Sequence, residues 1–479
     1  MFALVTGALH LASMSETSSK IPQERIHRIS RKYEAGKGRY VLYWMQQSGR
    51  VEHNHALEYA VQRANELELP VVVGFGLMHD YPEANARSYT FLLQGLADVE
   101  AALAERKIGF VLKLGHPAEV ALELASDAAL VVVDGGYLKH QRAWREKVGN
   151  EADHPVYVVE TDLVVPLKEA SDKQEHAART IRPKIHRQFD RFMVGLNATK
   201  PKHDSTKLKL KSDAALDDVP GLVEHLGVDT SVPPVAQLFS GGEQAAQKTF
   251  RNFLRQNFRD YAKHRNRPET TDVSHMSMYL HFGHVSPIWL VREVRKHTKA
   301  SGENYESFVE ELVVRRELAH NFCFHNRDYD NLGCLPDWAK QTLKEHEDDA
   351  RPNVFTRQQL EDAQTDDPYW NAAMREMRHT GYMHNYMRMY WGKQFIAYTN
   401  TAGHAHKTAL AINNKYFLDG RDANSFANVL WLFGIHDRGW TERPIFGKVR
   451  IMKQSGLKRK CDIDAYMEKV DRLCEKAGA

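Results

Sequence analysis

The chain has 479 residues, 42% of them hydrophobic, and 65 Lys and Arg against 62 Asp and Glu give a net charge of +3. That length and apolar content suit two or three domains with substantial cores, while so small a net charge demonstrates no polyanionic partner. The four cysteines (Cys323, Cys334, Cys461, Cys474) lack CxxC spacing, which excludes a zinc ribbon or disulfide framework and fits a reducing compartment inside the cell, and no apolar run approaches the roughly 20 residues that span a bilayer.

Residues 1–38 read as a disordered leader. Its first 13 residues are mildly apolar but lack the basic start of a signal peptide, and Met14 offers an alternative start. Residues 39–198 alternate short apolar runs with amphipathic ones. Tyr40-Val-Leu-Tyr-Trp44, Val71-Val-Val-Gly-Phe75, Phe110-Val-Leu-Lys-Leu114, Leu130-Val-Val-Val-Asp134 and Val156-Tyr-Val-Val159 have the length and β-branched content of buried strands. Between them, residues 55–67 and 88–106 repeat apolar positions at helical spacing. The alternation predicts a Rossmann-like α/β domain on a five-stranded parallel sheet, with ligands expected at the carboxyl ends of its strands. No GxGxxG and no Walker lysine occur here, so a conventional dinucleotide or ATP site is not expected.

Residues 199–242 are predicted to be an interdomain connector. They hold five lysines between 199 and 211, then Pro233-Pro234 and Ser240-Gly-Gly242, a polar tract long for a loop within one domain. From residue 243 to 479 the strand signal vanishes. Residues 243–259, 287–298, 305–325, 367–378, 382–400 and 402–413 show helical periodicity, predicting an all-α second domain.

The chemistry-bearing residues lie mostly in this second half. On the 382–400 helix, Arg388, Trp391 and Tyr398 share a face, near Trp370 and the later Asp419-Gly-Arg-Asp422 loop. A buried Arg needs an anion, and Asp419 and Asp422 are candidates. The stripe fits a redox-cofactor pocket or an aromatic core, and local sequence does not choose between them. Glu317 and Asn321 stand one turn apart and could orient a polar ring system, or could simply pair with the neighbouring arginines. Ser274-His-Met-Ser277 sets hydroxyls ahead of a helical turn, as a cap or as a phosphate contact. Residues 443–460 carry seven Lys or Arg and no acid. Such a tract beside Trp440 fits either a nucleic-acid backbone or a solvated face. Among 25 histidines there is no HExxH, and there is no GxSxG, so metal and serine-hydrolase chemistry are not expected.

In order along the chain, Val41-Leu-Tyr-Trp-Met45, Ala178-Arg-Thr-Ile-Arg-Pro-Lys184, Tyr279-Leu-His-Phe-Gly283, Glu317-Leu-Ala-His-Asn-Phe-Cys323, Asp366-Asp-Pro-Tyr-Trp-Asn371, Met387-Arg-Met-Tyr-Trp391, Leu418-Asp-Gly-Arg-Asp422 and His436-Asp-Arg438 resemble class II cyclobutane pyrimidine dimer photolyases of the photolyase/cryptochrome family. The resemblance spans about residues 39–460 and rests on the set, since each motif alone is weak. It implies an antenna-type α/β domain, a helical domain holding FAD, and light-driven splitting of dimers in double- or single-stranded DNA by a monomeric enzyme. A cryptochrome-like blue-light receptor on the same fold is the alternative. A deazaflavin-type antenna in the first domain is a further implication.

Carried over position by position, Tyr261, Ser274, Met276 and Ser277 match groups near the FAD phosphates and ribityl chain, and Asn321 joins the cofactor-binding set. Arg388 and Asp419 look like the ion pair beside the flavin ring, Asn413 like the amide near flavin N5, and Asp422 like a partner of the flavin's polar edge. Glu317 resembles the catalytic carboxyl that hydrogen-bonds the dimer. Met389 and Trp431 resemble lesion contacts, Arg438 and Trp440 groups filling the gap left by a flipped-out dimer, and Arg443 a DNA contact. Trp391 and Trp370 resemble the chain that recharges oxidised FAD by electron transfer. Here the sequence departs from the family pattern, because Tyr398 stands where a further tryptophan is expected and Phe355 where a tyrosine exit is expected.

Overall fold

The computed structural model of the protein describes residues 17–478. The first domain is built on six strands: β1 (Ile26–Arg28), β2 (Tyr40–Trp44), β3 (Val71–Leu77), β4 (Gly109–Leu114), β5 (Ala128–Asp134) and β6 (Val156–Val159). Their order across the sheet is β1-β6-β5-β2-β3-β4. The five strands from β2 to β6 run parallel and are those expected from the sequence, while β1 adds an antiparallel edge against β6.

Alternate residues of the central strands face opposite layers, as a pleated strand requires. Val41, Tyr43, Val71, Val73 and Val132 pack in one core, against helices His55–Glu66 and Ala86–Glu105. Leu42, Trp44, Val72, Val131 and Val133 pack in the other, against Pro117–Ala125 and Lys139–Glu151. The strand order reverses between β2 and β5, the place where such sheets open a crevice. Asp134 occupies it. Its buried carboxylate accepts from the backbone N–H of Gln46 (3.1 Å), Gln47 (3.0 Å) and Ser48 (2.9 Å) and from the Tyr43 hydroxyl (2.9 Å).

Two sequence expectations require correction. Residues 1–16 of the predicted leader lie outside the described residues, but the rest of it is tied into the fold. Thr17–Ser18 pairs with Gly195–Leu196, and β1 pairs with β6. Arg25, fully buried, donates to the carbonyls of Glu160 (3.1 Å), Leu163 (3.1 Å) and Val164 (2.7 Å). The attachment is polar, so hydrophobic periodicity gave no sign of it. The lysine-rich stretch after residue 199 is likewise no free linker. The Ser205 hydroxyl accepts from Gly109 N–H (2.6 Å), and Ser212 and Asp213 accept from the N–H groups of Leu112 and Leu114 (both 3.0 Å). It therefore covers the outer edge of β4, which would otherwise present unpaired backbone.

The second domain is helical, and no described helix is long and apolar enough to cross a membrane. The two domains meet closely. Gly283 adopts φ +69°, and a Cβ there would fall 1.8 Å from the Gln47 carbonyl oxygen. Arg50, fully buried, reaches across to the Gly283 carbonyl (2.8 Å) while paired with Asp162 (2.8 Å). The expected 305–325 helix is interrupted. Glu303–Val309 runs into a π-helical stretch, Glu310–Arg315, before Arg316–His325 resumes α geometry. The extra residue per turn changes the facing of everything after it.

Candidate functional site

Helix Asn385–Tyr398 begins after His384, whose Nδ1 accepts from Tyr386 N–H (3.2 Å). One turn in, Arg388 donates through Nε to the Met383 carbonyl (2.9 Å) and through Nη1 to Asp419 (2.9 Å). Asp419 is buried on the turn after helix Ala402–Tyr416, where Ser425 Oγ donates to its carbonyl (3.0 Å). The guanidinium lies 3.8 Å from the centre of the Phe417 ring and 5.5 Å from that of Tyr382. Tyr382 in turn meets the His275 ring at 4.5 Å. His275, at φ +55°, precedes helix Met276–His281, and Ser274 Oγ accepts from Met276 N–H (3.4 Å). Burial pushes the Tyr382 phenol well up, with Arg388, Asp419 and Tyr261 among the groups acting on it.

Five of the expected cofactor residues, Tyr261, Ser274, Met276, Arg388 and Asp419, are thereby gathered around Tyr382. Ser277 is exposed on the short helix that Met276 opens. Asn413 is buried on helix Ala402–Tyr416 and donates to Asn414 Oδ1 (3.0 Å). Asp422 precedes helix Ala423–Trp431. Burial would raise its carboxyl, but His320, His281 and Arg316 outweigh that and hold it below its ordinary value. Among the described residues, His275 Nδ1, His384 Nε2 and Trp391 Nε1 are three of the several buried polar atoms, in both domains, that have no hydrogen-bond partner. Buried polar atoms are rarely left so. Orphan ring nitrogens beside a fixed Arg–Asp pair and stacking surfaces fit a large, polar, aromatic cofactor.

Glu317 and Asn321 face residues 160–176 of the chain. Glu317 Oε1 accepts from Val164 N–H (2.7 Å) and Val165 N–H (3.3 Å), whereas its Oε2 is buried without a partner. Burial pushes this carboxyl up to about 8, only partly offset by those N–H groups and by Arg316 and Arg25. A carboxylic acid that stays protonated near neutrality is a hydrogen-bond donor. Asn321 corrects an expectation. Its Oδ1 accepts from Glu175 N–H (2.8 Å) and its Nδ2 donates to the Lys173 carbonyl (2.9 Å), so the amide holds a loop of the chain instead of a cofactor.

The aromatic stripe is buried core, and its rings touch in series. Trp370 and Trp391 stack at 6.3 Å between centroids and 15° between planes, and Trp370 Nε1 donates to the Trp391 carbonyl (2.9 Å). Trp391 also meets Phe417, the ring under Arg388, at 6.2 Å. On its other side Trp370 touches Tyr398 edge-on at 5.9 Å, and Tyr398 touches Phe355 at 5.2 Å. Trp370 and Trp391 are almost wholly buried, while Tyr398 and Phe355 are partly exposed.

Trp431 ends helix Ala423–Trp431 and has two cations close to its ring. Lys393 Nζ lies 4.6 Å from its ring centroid, and the Arg450 guanidinium 5.7 Å from it. Arg450 also approaches Trp440 (4.9 Å), as does Arg438 (5.1 Å). Trp440 is 39% exposed and Arg438 and Arg443 are exposed, so an indole and several cations stand at the surface together. Met389 is partly buried against the same helical core. Lys393 and Arg450 were missed in sequence. Lys393 is fully buried, donates to the Leu432 carbonyl (2.6 Å), and is pulled down to about 7 by burial. Its neighbours Gly392 and Gln394 gave no signal, whereas Arg450 lay within the recognised basic tract.

Family models describing DNA photolyase and the FAD binding domain of DNA photolyase match residues 41–204 and 308–469. A deoxyribodipyrimidine photo-lyase of Methanothermobacter thermautotrophicus is 44% identical over 95% of the chain and 100% of that protein. One from Oryza sativa is 37% identical over 90% of the chain and 88% of its own length. An archaeal photolyase from Sulfolobus tokodaii, solved with two FAD molecules, aligns with a TM-score of 0.64 at 15% identity, covering 90% of this chain and 89% of that one.

Proposed function

The chain belongs to the DNA photolyase family, and on that premise we propose how its residues divide the work of repairing cyclobutane pyrimidine dimers. It acts as a deoxyribodipyrimidine photo-lyase, binds FAD in the helical domain and takes DNA as its substrate. Reduced FAD, when bound, supplies one electron to the dimer under light and takes it back after the ring opens.

Arg388, held by Asp419, fixes a cation beside the flavin ring, and Tyr261, Ser274, Met276 and Ser277 hold the rest of the cofactor. Asn413 would set its amide near flavin N5, and Asp422 would meet the ring's polar edge. Glu317, as a protonated acid, donates to a carbonyl of the flipped-out dimer and offsets the charge that develops there. Met389 and Trp431 contact the lesion, Arg438 and Trp440 fill the gap in the duplex, and Arg443 with the basic tract holds phosphates. Flipping is needed because the dimer is out of reach within the stack, and a dimer's weakened pairing lowers its cost. Trp391 and Trp370 carry the electrons that recharge oxidised cofactor. The class II assignment rests on the motifs quoted above. We place the enzyme inside the cell, as a monomer acting on single- and double-stranded DNA.

An antenna fits a second place. A cavity of ≈ 120 Å³ at the carboxyl ends of β2 and β3 is lined by Gln47, Phe75, Tyr81, Trp144, His281 and Arg421. Its aromatic walls suit a planar chromophore of the deazaflavin type, and an absorption spectrum of the unbleached protein tests it.

The observation that carries the reading is the Arg388–Asp419 pair, one ring contact from the Trp391–Trp370 stack. Illuminating the fully reduced enzyme with dimer-containing DNA should restore thymine absorbance. Absence of light-dependent recovery overturns the reading.

A further inference from the structure

Asp367 is engaged at both oxygens. Oδ1 accepts from the backbone N–H groups of Tyr369 (3.0 Å) and Trp370 (3.1 Å), capping the helix that carries Trp370. Oδ2 accepts from two phenols, Tyr390 and, at 3.4 Å, Tyr398. Of the rings that Trp370 touches, Trp391, Phe395 and Tyr398, only Tyr398 has an acidic proton, and it alone is partly exposed. The outermost ring of the stack is thus an oxidisable phenol whose hydroxyl already points at a carboxylate, and that carboxylate is 3% exposed.

This matters because tyrosine differs from tryptophan as a terminal electron donor. An indole can lose an electron and persist as a radical cation. A phenol radical cation is far too acidic to persist, so oxidation of tyrosine at neutral pH must deliver the proton somewhere in the same event. Burial, then the neighbouring Asp367, pushes the Tyr398 phenol well above its ordinary value, so it rests neutral and cannot shed its proton beforehand. Trp391 Nε1 is buried without a partner and Trp370 Nε1 donates only to a carbonyl, so neither indole has a base in place.

We propose that Tyr398 is the terminal donor of the recharging path and that Asp367 is the base that takes its proton. The proposal rests on the photolyase reading above. Trp391 gives one electron to light-excited oxidised flavin, and Trp370 refills Trp391 and is left as a radical cation. Tyr398 then passes one electron to Trp370 and the proton on Oη to Asp367 Oδ2. Trp370 becomes neutral indole, Tyr398 a neutral phenoxyl radical, and Asp367 a carboxylic acid. A soluble thiol, the one-electron reductant, gives an electron to Tyr398 at the partly exposed end and leaves as a thiyl radical, its proton passing to solvent, while the Tyr398 proton comes back from Asp367. Tyr390, fixed to the same oxygen but without a ring contact to Trp370, steadies the carboxylate and lies off the path.

The test is flash excitation of the holoenzyme carrying oxidised FAD, with transient absorption and electron paramagnetic resonance to identify the radicals, in H2O and D2O. Tyr398→Phe should remove the phenoxyl signal and lengthen the life of the tryptophanyl radical. Asp367→Asn keeps an acceptor for the two capping N–H groups, so the helix start survives. It removes the base, and should slow phenoxyl formation by about 100-fold or more, the lower end of what a positioned base contributes. The solvent isotope effect should disappear with the phenoxyl signal in Tyr398→Phe, while Tyr390→Phe should retain both. Phenoxyl formation at the wild-type rate in Asp367→Asn, or tryptophanyl decay in wild type with no phenoxyl signal, overturns the proposal alone. Absence of any tryptophanyl radical in wild type, while reduced enzyme still repairs, overturns the wire and the proposal with it but leaves the photolyase reading standing.

Discussion

Replacing Glu317 with Gln tests the burial of that carboxyl directly. Glu317 lies at about 8 in the folded protein against an ordinary 4.5. Below pH 4.5 both folded and unfolded chains hold the proton, and the group contributes nothing to the pH dependence of stability. As pH rises from there to 8, the unfolded chain releases its proton while the folded one keeps it, so stability falls, and above pH 8 the loss is constant. The shift of 3.5 (8 − 4.5) at about 1.4 kcal/mol each puts that loss on the order of 5 kcal/mol, an upper bound because local relaxation admits water. Gln has the shape of the protonated acid. Its carbonyl can accept from Val164 and Val165, and its amide takes the place of the orphan Oε2, so the variant should match wild type at pH 5 and exceed it at pH 9 by several kcal/mol. Thermal unfolding of the FAD-free proteins across that range measures the difference. Parallel pH curves for Glu317→Gln and wild type would refute the argument that Glu317 rests as a neutral acid, and with it the donor role assigned to it in repair.

Trp391→Phe should abolish light-driven reduction of oxidised FAD while chemically reduced enzyme still repairs dimers, as followed by thymine absorbance. Equal loss of both would show that recharging and repair are not separate. Asp419→Asn leaves the Arg388 guanidinium without its carboxylate in a half-buried site and should weaken FAD retention; undiminished retention on gel filtration would contradict the pair's assigned place. Arg443→Ala should lower the slope of log affinity for duplex DNA against log salt by about 0.9, one phosphate contact. An unchanged slope would remove Arg443 from the interface.

What could be read from sequence follows from which forces leave a periodic trace. The strands Tyr40–Trp44 and Val156–Val159 were legible to the residue because strands covered on both faces need unbroken apolar runs. The helix Pro287–Thr298 was equally clear, with Ser286 and Pro287 marking its start. Elements held by polar anchors were not. Arg25 fastens β1 through carbonyls more than 130 positions away, and Ser205, Ser212 and Asp213 cover β4 through backbone N–H groups. Neither alters the hydrophobic pattern, so one stretch read as a leader and the other as a linker. Glu317 and Asn321 show the same limit at the site. Helical spacing correctly put them on one face, but it could not say that the face meets residues 160–176, which commits the amide and leaves one carboxyl oxygen free. The indole stack is the converse case. Trp370 and Trp391 are 21 positions apart on two helices, and periodicity alone leaves a cofactor pocket and an aromatic core equally open. Packing and electron transfer make the same demand on these rings, close contact in a dry interior, so no pattern of apolar residues can distinguish them. The feature that bears on the difference is polar again: the Asp367 carboxylate caps the Trp370 helix through one oxygen and meets the Tyr398 phenol through the other, and the flash experiment on Asp367→Asn decides whether that second contact is more than packing.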